Sequence, residues 1–167
     1  MIPYVKRECA AELALLDRKL LEVVTPFPRY TTHELEEKHG SDWEAAVSFA
    51  SRQPVWVLCH KREFYDKEDP TKPGHYLNYD LIYPEGFGEA LSGAEREHDY
   101  KVITSKMERH GLDKSRYGPY LEFAEKGLVP SAGAGFGVER LVRWLAGAEH
   151  VKDVQLFERV PGERVVV

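Results

Sequence analysis

Ser131-Ala132-Gly133-Ala134-Gly135-Phe136-Gly137-Val138-Glu139-Arg140-Leu141 is the stretch on which the fold turns. Glycines at 133, 135 and 137 leave one face of an extended segment without side chains, so a flat or phosphorylated ligand can approach the backbone. Val138, Leu141, Val142 and Leu145 then recur at helical spacing, so a glycine-rich strand over Ser131–Gly137 runs directly into a helix. Arg140 falls in that helix's first turn, where a cation opposes the helix dipole. Local stability does not account for it; a nearby anion does. The competing reading is a glycine strand packed under a helix with no ligand, and alternating glycines alone do not separate the two.

A second group of candidate residues lies upstream. Tyr76 to Tyr83 and Glu89 to Glu95 read as strands joined through Pro84-Glu85-Gly86-Phe87-Gly88, an antiparallel hairpin. The hairpin brings Asp80 and Glu89 near each other as two hard oxygen ligands for Mg²⁺ on a nucleotide. Ser92 and Gly93 follow, and Arg96 can present its fork to a carboxylate. The alternative is a solvated hairpin with ordinary surface ion pairs. Pro54 to Cys59 is a short apolar run typical of a buried strand.

Helical signals surround these strands. Cys9, Leu13, Leu16, Leu20 and Val23 are spaced 4, 3, 4 and 3, which predicts an amphipathic helix over Cys9–Val24, stopped by Thr25-Pro26-Phe27-Pro28. Thr31-Thr32-His33-Glu34 forms a capping box for a short helix ending at Gly40, and Ser41-Asp42-Trp43-Glu44 repeats the device for a helix to about Arg52. Further helices run from Tyr100 to Gly111 and from Tyr117 to Gly127. Helices flanking an antiparallel sheet make the class α+β.

The 167 residues (19.1 kDa) are one domain's worth of chain, 1–167, with no repeat or linker. Cys9 and Cys59 cannot form a cystine framework or a metal quartet. Seven scattered histidines show no paired ligand spacing. The absence of a signal core or an 18-residue apolar run predicts a soluble, cytoplasmic protein that does not enter membranes. A net charge of −5, with Lys61-Arg62 and Lys152 too sparse for a basic patch, argues against a surface built mainly for nucleic acid. One Asn (Asn78) and two Gln beside 31% charged residues and ten prolines suggest a thermophile, against the alternative of coding bias. The apolar tail Arg164-Val165-Val166-Val167 is expected to pack on a neighbour.

Taken together, these residues resemble a known family. SAGAGFGVERLVRWLAG (131–147, with motif 3 at 131–145) is similar to motif 3 of class II aminoacyl-tRNA synthetases, and AEHVKDVQLFERVPG to the segment closing the catalytic domain in the aspartyl and asparaginyl branch. With Asp80, Glu89, SGAERE and TPFPRYTTHELEEKHG, the resemblance runs from about Thr25 to Gly162, with residues 1–24 as an N-terminal helix. It points to asparaginyl-tRNA synthetase and the related archaeal asparagine synthetase, hence to part of the class II catalytic fold. The resemblance implies that Asp80 and Glu89 hold Mg²⁺ bound to ATP, with Ser92 supporting the ion. It implies that Gly93 floors the amino-acid pocket, that Arg96 reads the substrate side chain, that Arg140 is the catalytic arginine on the γ-phosphate, and that Gly135 and Gly137 lie beneath the nucleotide.

The departures are equally specific. Ser131 stands in the substrate pocket where relatives have His, Glu95 stands where Gln is common, and the Asp80–Glu89 turn is slightly long. Neither motif 1, motif 2 nor an anticodon-binding domain is read before Thr25. Motif 2 supplies the arginine on the reacting phosphate, and electrostatic stabilisation there is usually the largest catalytic contribution. The first expectation is therefore an asparaginyl-type paralogue holding part of an ATP, Mg²⁺ and amino-acid (Asp or Asn) site, unable to bind and charge tRNA alone. Its alternatives are the C-terminal part of a split ATP-dependent ligase forming aminoacyl-adenylate, completed by a partner chain, and a non-catalytic interaction module. Sheet edges left open by missing strands predict a homodimer or a partner chain, unless the 9–24 helix covers them.

Overall fold

The computed structural model describes residues 1–60, 63–157 and 162. Its centre is a five-stranded sheet in sequential order: β1 (Arg29–Thr31), β2 (Val55–Leu58), β3 (Asn78–Tyr83), β4 (Gly88–Glu95) and β5 (Ala132–Phe136). Strands β2 to β5 pair antiparallel, whereas β1 lies parallel to β2. Among the described residues seven α-helices accompany the sheet: α1 (Ile2–Glu8), α2 (Ala10–Leu15), α3 (Thr32–His39), α4 (Trp43–Ala50), α5 (Tyr100–Arg109), α6 (Gly118–Lys126) and α7 (Val138–Ala146). The class is α+β with a mixed sheet.

Side chains alternate across a strand, so register assigns each residue to a face. Leu81 and Tyr83 of one face pack with Ala90 against Leu141 and Trp144 of α7 and against Ile2 and Leu20 from the N-terminal segment. The Tyr83 and Trp144 rings stack there at 4.5 Å. On the opposite face, Leu35 of α3 and Val47 of α4 cover Val55, Val57 and Ile82. That cover stops at β3, and the face continues over β4 and β5 without a helix in either core cluster. A third cluster joins α5 and α6 through Phe64, Ile103, Met107 and Ala124.

One irregularity decides which side chains share the open face. Leu81 pairs with Leu91, but Ile82 pairs with Glu89, so Ala90 is an extra residue in β4. Ala90 and Leu91 both turn toward the packed core. Glu89, opposite Ile82, thereby faces the same way as Ser92.

The structure corrects several expectations. The helix predicted over Cys9–Val24 forms only in its first part: α1 and α2 meet at Cys9, and α2 ends at Leu15. The Asp17 N–H donates to Ala14 O and the Arg18 N–H to Leu13 O, with Asp17 at φ 49°, so the chain leaves the helix through a Schellman turn. Arg18 is drawn into a two-pronged bond with Glu85 (2.9 and 2.7 Å), while Leu20 and Val23 still reach the core from irregular chain. This segment packs on the sheet's covered face, where Met1, Ile2 and Pro3 line a cavity with Phe136 of β5. The Thr31 capping box forms, whereas the one expected at Ser41 does not: Gly40–Asp42 is a 3₁₀ turn leading into α4. The short parallel strand β1 was not anticipated. Lys61, Arg62, most of the FERVPG segment and Arg164–Val167 lie outside the described residues.

Candidate functional site

Three strands bring the first group of predicted residues together. Asp80 of β3 is directly opposite Ser92 of β4, which is directly opposite Gly135 of β5. The three sit in one row across the open face. Glu89 joins that face through the Ala90 bulge, so the acid reached by the sheet is not the direct partner of Asp80 but a neighbour in the same layer. A Cβ added at Gly135 would meet nothing within 4 Å, and one at Gly133 only the end of the Arg96 side chain at 3.8 Å. The two glycines therefore leave a bare floor, as their alternation predicts. Gly137 differs: a Cβ there would lie 3.1–3.3 Å from the Arg140 stem, so this glycine makes room for the arginine to fold back.

Arg140 is the third residue of α7. Its Nη1 donates to Glu89 Oε1 at 2.8 Å and to the Glu89 carbonyl at 3.0 Å. An anion does stand beside this first-turn cation, and it is the carboxylate predicted to hold metal. Asp80 lies deeper, 1% exposed, with an oxygen 3.4 Å from His60 Nε2. His60 Nδ1 is 3.2 Å from Thr32 Oγ1. Two carboxylates and a hydroxyl on one face are hard oxygen donors of the kind Mg²⁺ takes while keeping water and phosphate oxygens. Among the described residues no three His, Cys, Asp or Glu side chains form a protein-only metal cage. The donor set suits a metal carried on a phosphate better than a structural ion.

Arg96 anchors the other end of the site. It follows β4 with its N–H bonded to Ser131 O at 2.8 Å, and both residues line a cavity of about 680 Å³ with Tyr65, Glu97, Tyr117 and Tyr120. Its guanidinium lies 4.9 Å above the Tyr65 ring and donates through Nη1 to Asp66 Oδ1 at 3.0 Å. Burial pushes the Tyr120 hydroxyl up, with nearby Glu97 adding to the effect, so it stays a neutral donor.

Sequence reasoning missed the layer beneath. Asn78 Nδ2 donates to Asp66 Oδ2 (2.9 Å) and to His60 O (2.8 Å), while its Oδ1 accepts from the His60 N–H (2.7 Å). Lys106, 1% exposed, donates to Asp66 O at 2.7 Å and to Glu97 Oε2 at 3.1 Å. A signal for Asn78 existed: it is the lone asparagine of the chain.

Two residues sit differently from expectation. Gly93 is opposite Tyr79 on the covered face, where a Cβ would come within 2.8 Å of the Tyr79 ring; its missing side chain accommodates that ring. Only its backbone is left to serve the open face. Glu95 pairs with Lys67, so its charge is directed away from Arg96, whose acidic neighbour is Asp66.

With this geometry described, comparison with known proteins gives the chain a family. The family model for class II tRNA synthetases (D, K and N) matches residues 1–161. The chain belongs to the class II tRNA synthetases of this group. Asparaginyl-tRNA synthetase from Pyrococcus horikoshii superposes with a TM-score of 0.82 at 31% identity, covering 97% of this chain and 43% of that one. Asparaginyl-tRNA synthetase from Entamoeba histolytica, solved with asparaginyl-adenylate, gives 0.78 at 25% identity over 93% of this chain and 40% of that one. Aspartyl-tRNA synthetase from the same organism shares the fold, with a TM-score of 0.78 at 23% identity. This class II chain thus spans less than half the length of the synthetases it matches. No helix among its described residues is long and apolar enough to cross a membrane.

Proposed function

We propose that this class II chain carries the Mg²⁺–nucleotide and amino-acid half of an asparaginyl-type adenylate-forming site. The observation that carries the reading is that buried Asp80, Ser92 and Gly135 form one row across one sheet face, which Gly133 shares, Glu89 joins through the Ala90 bulge and Arg140 reaches through its bond to Glu89, with Arg96 at its end. Glu89 and Ser92, with Asp80 beneath, would hold Mg²⁺, which when bound neutralises phosphate charge. The glycine floor lets the nucleotide lie against β5, and Arg140 exchanges its bond to Glu89 for the terminal phosphate. Arg96 orients the amino-acid side chain in the cavity beyond Gly133. Among the described residues of this face no second arginine stands ready for the reacting phosphate, so the chain is read as binding better than it catalyses and as not taking tRNA alone.

A second reading is that a partner chain completes a split ligase. It is favoured by β5, an edge strand whose Ala132, Ala134, Gly135 and Phe136 are exposed, with one flank unpaired in the sheet order. A second copy on the same edge would give a homodimer. Calorimetry with ATP and Mg²⁺ tests the main reading: weak heat that requires Mg²⁺ and disappears in Arg140→Ala is expected. No heat at millimolar ATP would overturn it. ATP–pyrophosphate exchange with asparagine or aspartate, with and without cell lysate, tests the second.

A further inference from the structure

Asp66 is a carboxylate with a 4% exposed side chain, and both of its oxygens are engaged. Oδ1 accepts from Arg96 Nη1 at 3.0 Å, and Oδ2 accepts from Asn78 Nδ2 at 2.9 Å. Its backbone is fixed as well, by an antiparallel bridge to Arg96 and by the buried Lys106 ammonium on its carbonyl. Asp66 does not line the cavity; it is joined to it through Arg96, which does. Asp66 therefore acts only through the guanidinium.

That position has a chemical consequence. An unpaired arginine in a half-buried pocket favours a carboxylate, whose desolvation is offset by a full opposite charge. Here the inner edge of the guanidinium is already matched by a buried anion. The outer donors, Nη2 and Nε, remain near Gly133. Hydrogen bonds to an amide oxygen are available from them, but a second carboxylate meets an almost cancelled charge and the repulsion of Asp66. Glu97, which lines the cavity and is paired with Lys106, adds no positive charge. An uncharged ligand has no such desolvation cost to recover.

We propose that Asp66 is a positioning and specificity-determining residue that sets this pocket for a carboxamide amino acid over its carboxylate counterpart. The inference rests on the reading of the cavity as an amino-acid site. At the roughly 6–7 Å separating a ligand carboxylate from Asp66 across the guanidinium, a protein-like dielectric gives a discrimination of about tenfold or more.

The test is titration of the 167-residue chain with L-asparagine and with L-aspartate, followed by calorimetry and by ligand-induced shift of the melting temperature. The wild type is expected to bind asparagine about tenfold tighter or better. Asp66→Asn, which keeps the shape and removes the charge, should move the ratio toward aspartate by a similar factor. Asp66→Glu should restore part of the preference, which a merely structural role does not require. Where Asp66→Asn gives too little folded protein, Asp66→Ser removes the same charge and must shift the ratio in the same direction. An unchanged ratio in the neutral variants, or a wild type that prefers aspartate, overturns the role of Asp66 while leaving the amino-acid site standing. Binding of neither amino acid overturns both.

Discussion

Lys106→Met removes an ammonium from a position with 1% exposure while keeping the length of the side chain. Two buried acceptors then lose a donor, the Asp66 carbonyl and Glu97 Oε2. Glu97 keeps the His98 and Asp99 N–H groups on Oε1, at 3.1 and 3.3 Å, so its charge is not stripped of all partners. Breaking a buried pair from one side costs about 3–5 kcal/mol, and the surviving backbone bonds place this case near the lower figure. For a chain of this length about 3 kcal/mol lowers the melting temperature by roughly 6–12 °C. Removing both charges together, in Lys106→Met with Glu97→Gln, should recover more than half of that loss, because no buried charge is left uncompensated. Urea denaturation of the four proteins, analysed as a double-mutant cycle, measures the coupling. A single variant costing less than about 1 kcal/mol, or a double variant as unstable as the sum of the singles, would refute the view that this pair supports the floor of the site.

Gly93→Ala places a methyl within 2.8 Å of the Tyr79 ring and should cost about 1–3 kcal/mol, recovered in part by Tyr79→Leu; chemical denaturation checks both. Hydrogen bonds from Arg18, with its charge and the Trp144 indole N–H contributing further, hold the Glu85 carboxyl below its ordinary value. A depressed carboxylate contributes stability that is present above its unfolded pKa and lost as pH falls through the folded one. Melting temperatures from pH 7 down to 3 should therefore fall less steeply below about pH 4.5 in Glu85→Gln than in the wild type. The purified chain should not aminoacylate tRNA, and charged product above background would contradict that. Light scattering should give a mass above the 19.1 kDa monomer if the β5 edge pairs with a second copy; a monomer at every concentration would show the edge to be protected.

The strands were legible because their apolar runs are short, bounded by Pro or Gly, and paired by a hairpin turn. Motif 3 was legible because its alternating glycines run straight into Val138-Glu139-Arg140-Leu141 and stand beside the Asp80, Glu89 and Arg96 segments; the glycines alone did not separate a site from a packed strand. The N-terminal helix was misread for a physical reason: its spacing continues to Val23, but Arg18 gains more from Glu85 and the Trp144 carbonyl than from another helical turn. Strand β1 has three residues and each pairs with a β2 residue 27 positions away, so no local pattern marks it. Within the site, residues that point onto the face were readable from their motif, whereas Asp66, His60 and Lys106 were not. Their importance comes from burial and from partners that are mostly 9 to 40 residues distant, which periodicity does not report.

The extra residue at Ala90 also determines where this sequence can change length. Glu89 and Ser92 are three apart, and in an unbroken strand an odd separation sends two side chains to opposite faces. The bulge converts that odd count into a shared face. Residues can therefore be gained or lost in the turn over Pro84–Phe87 without altering which groups look outward, since the turn lies outside the paired register. Loss of one residue between Glu89 and Ser92 is a different event. It would leave the two residues an even two apart in a regular strand, so the acid would keep its face; straightening the strand with Ala90 retained is what would turn Glu89 into the hydrophobic core.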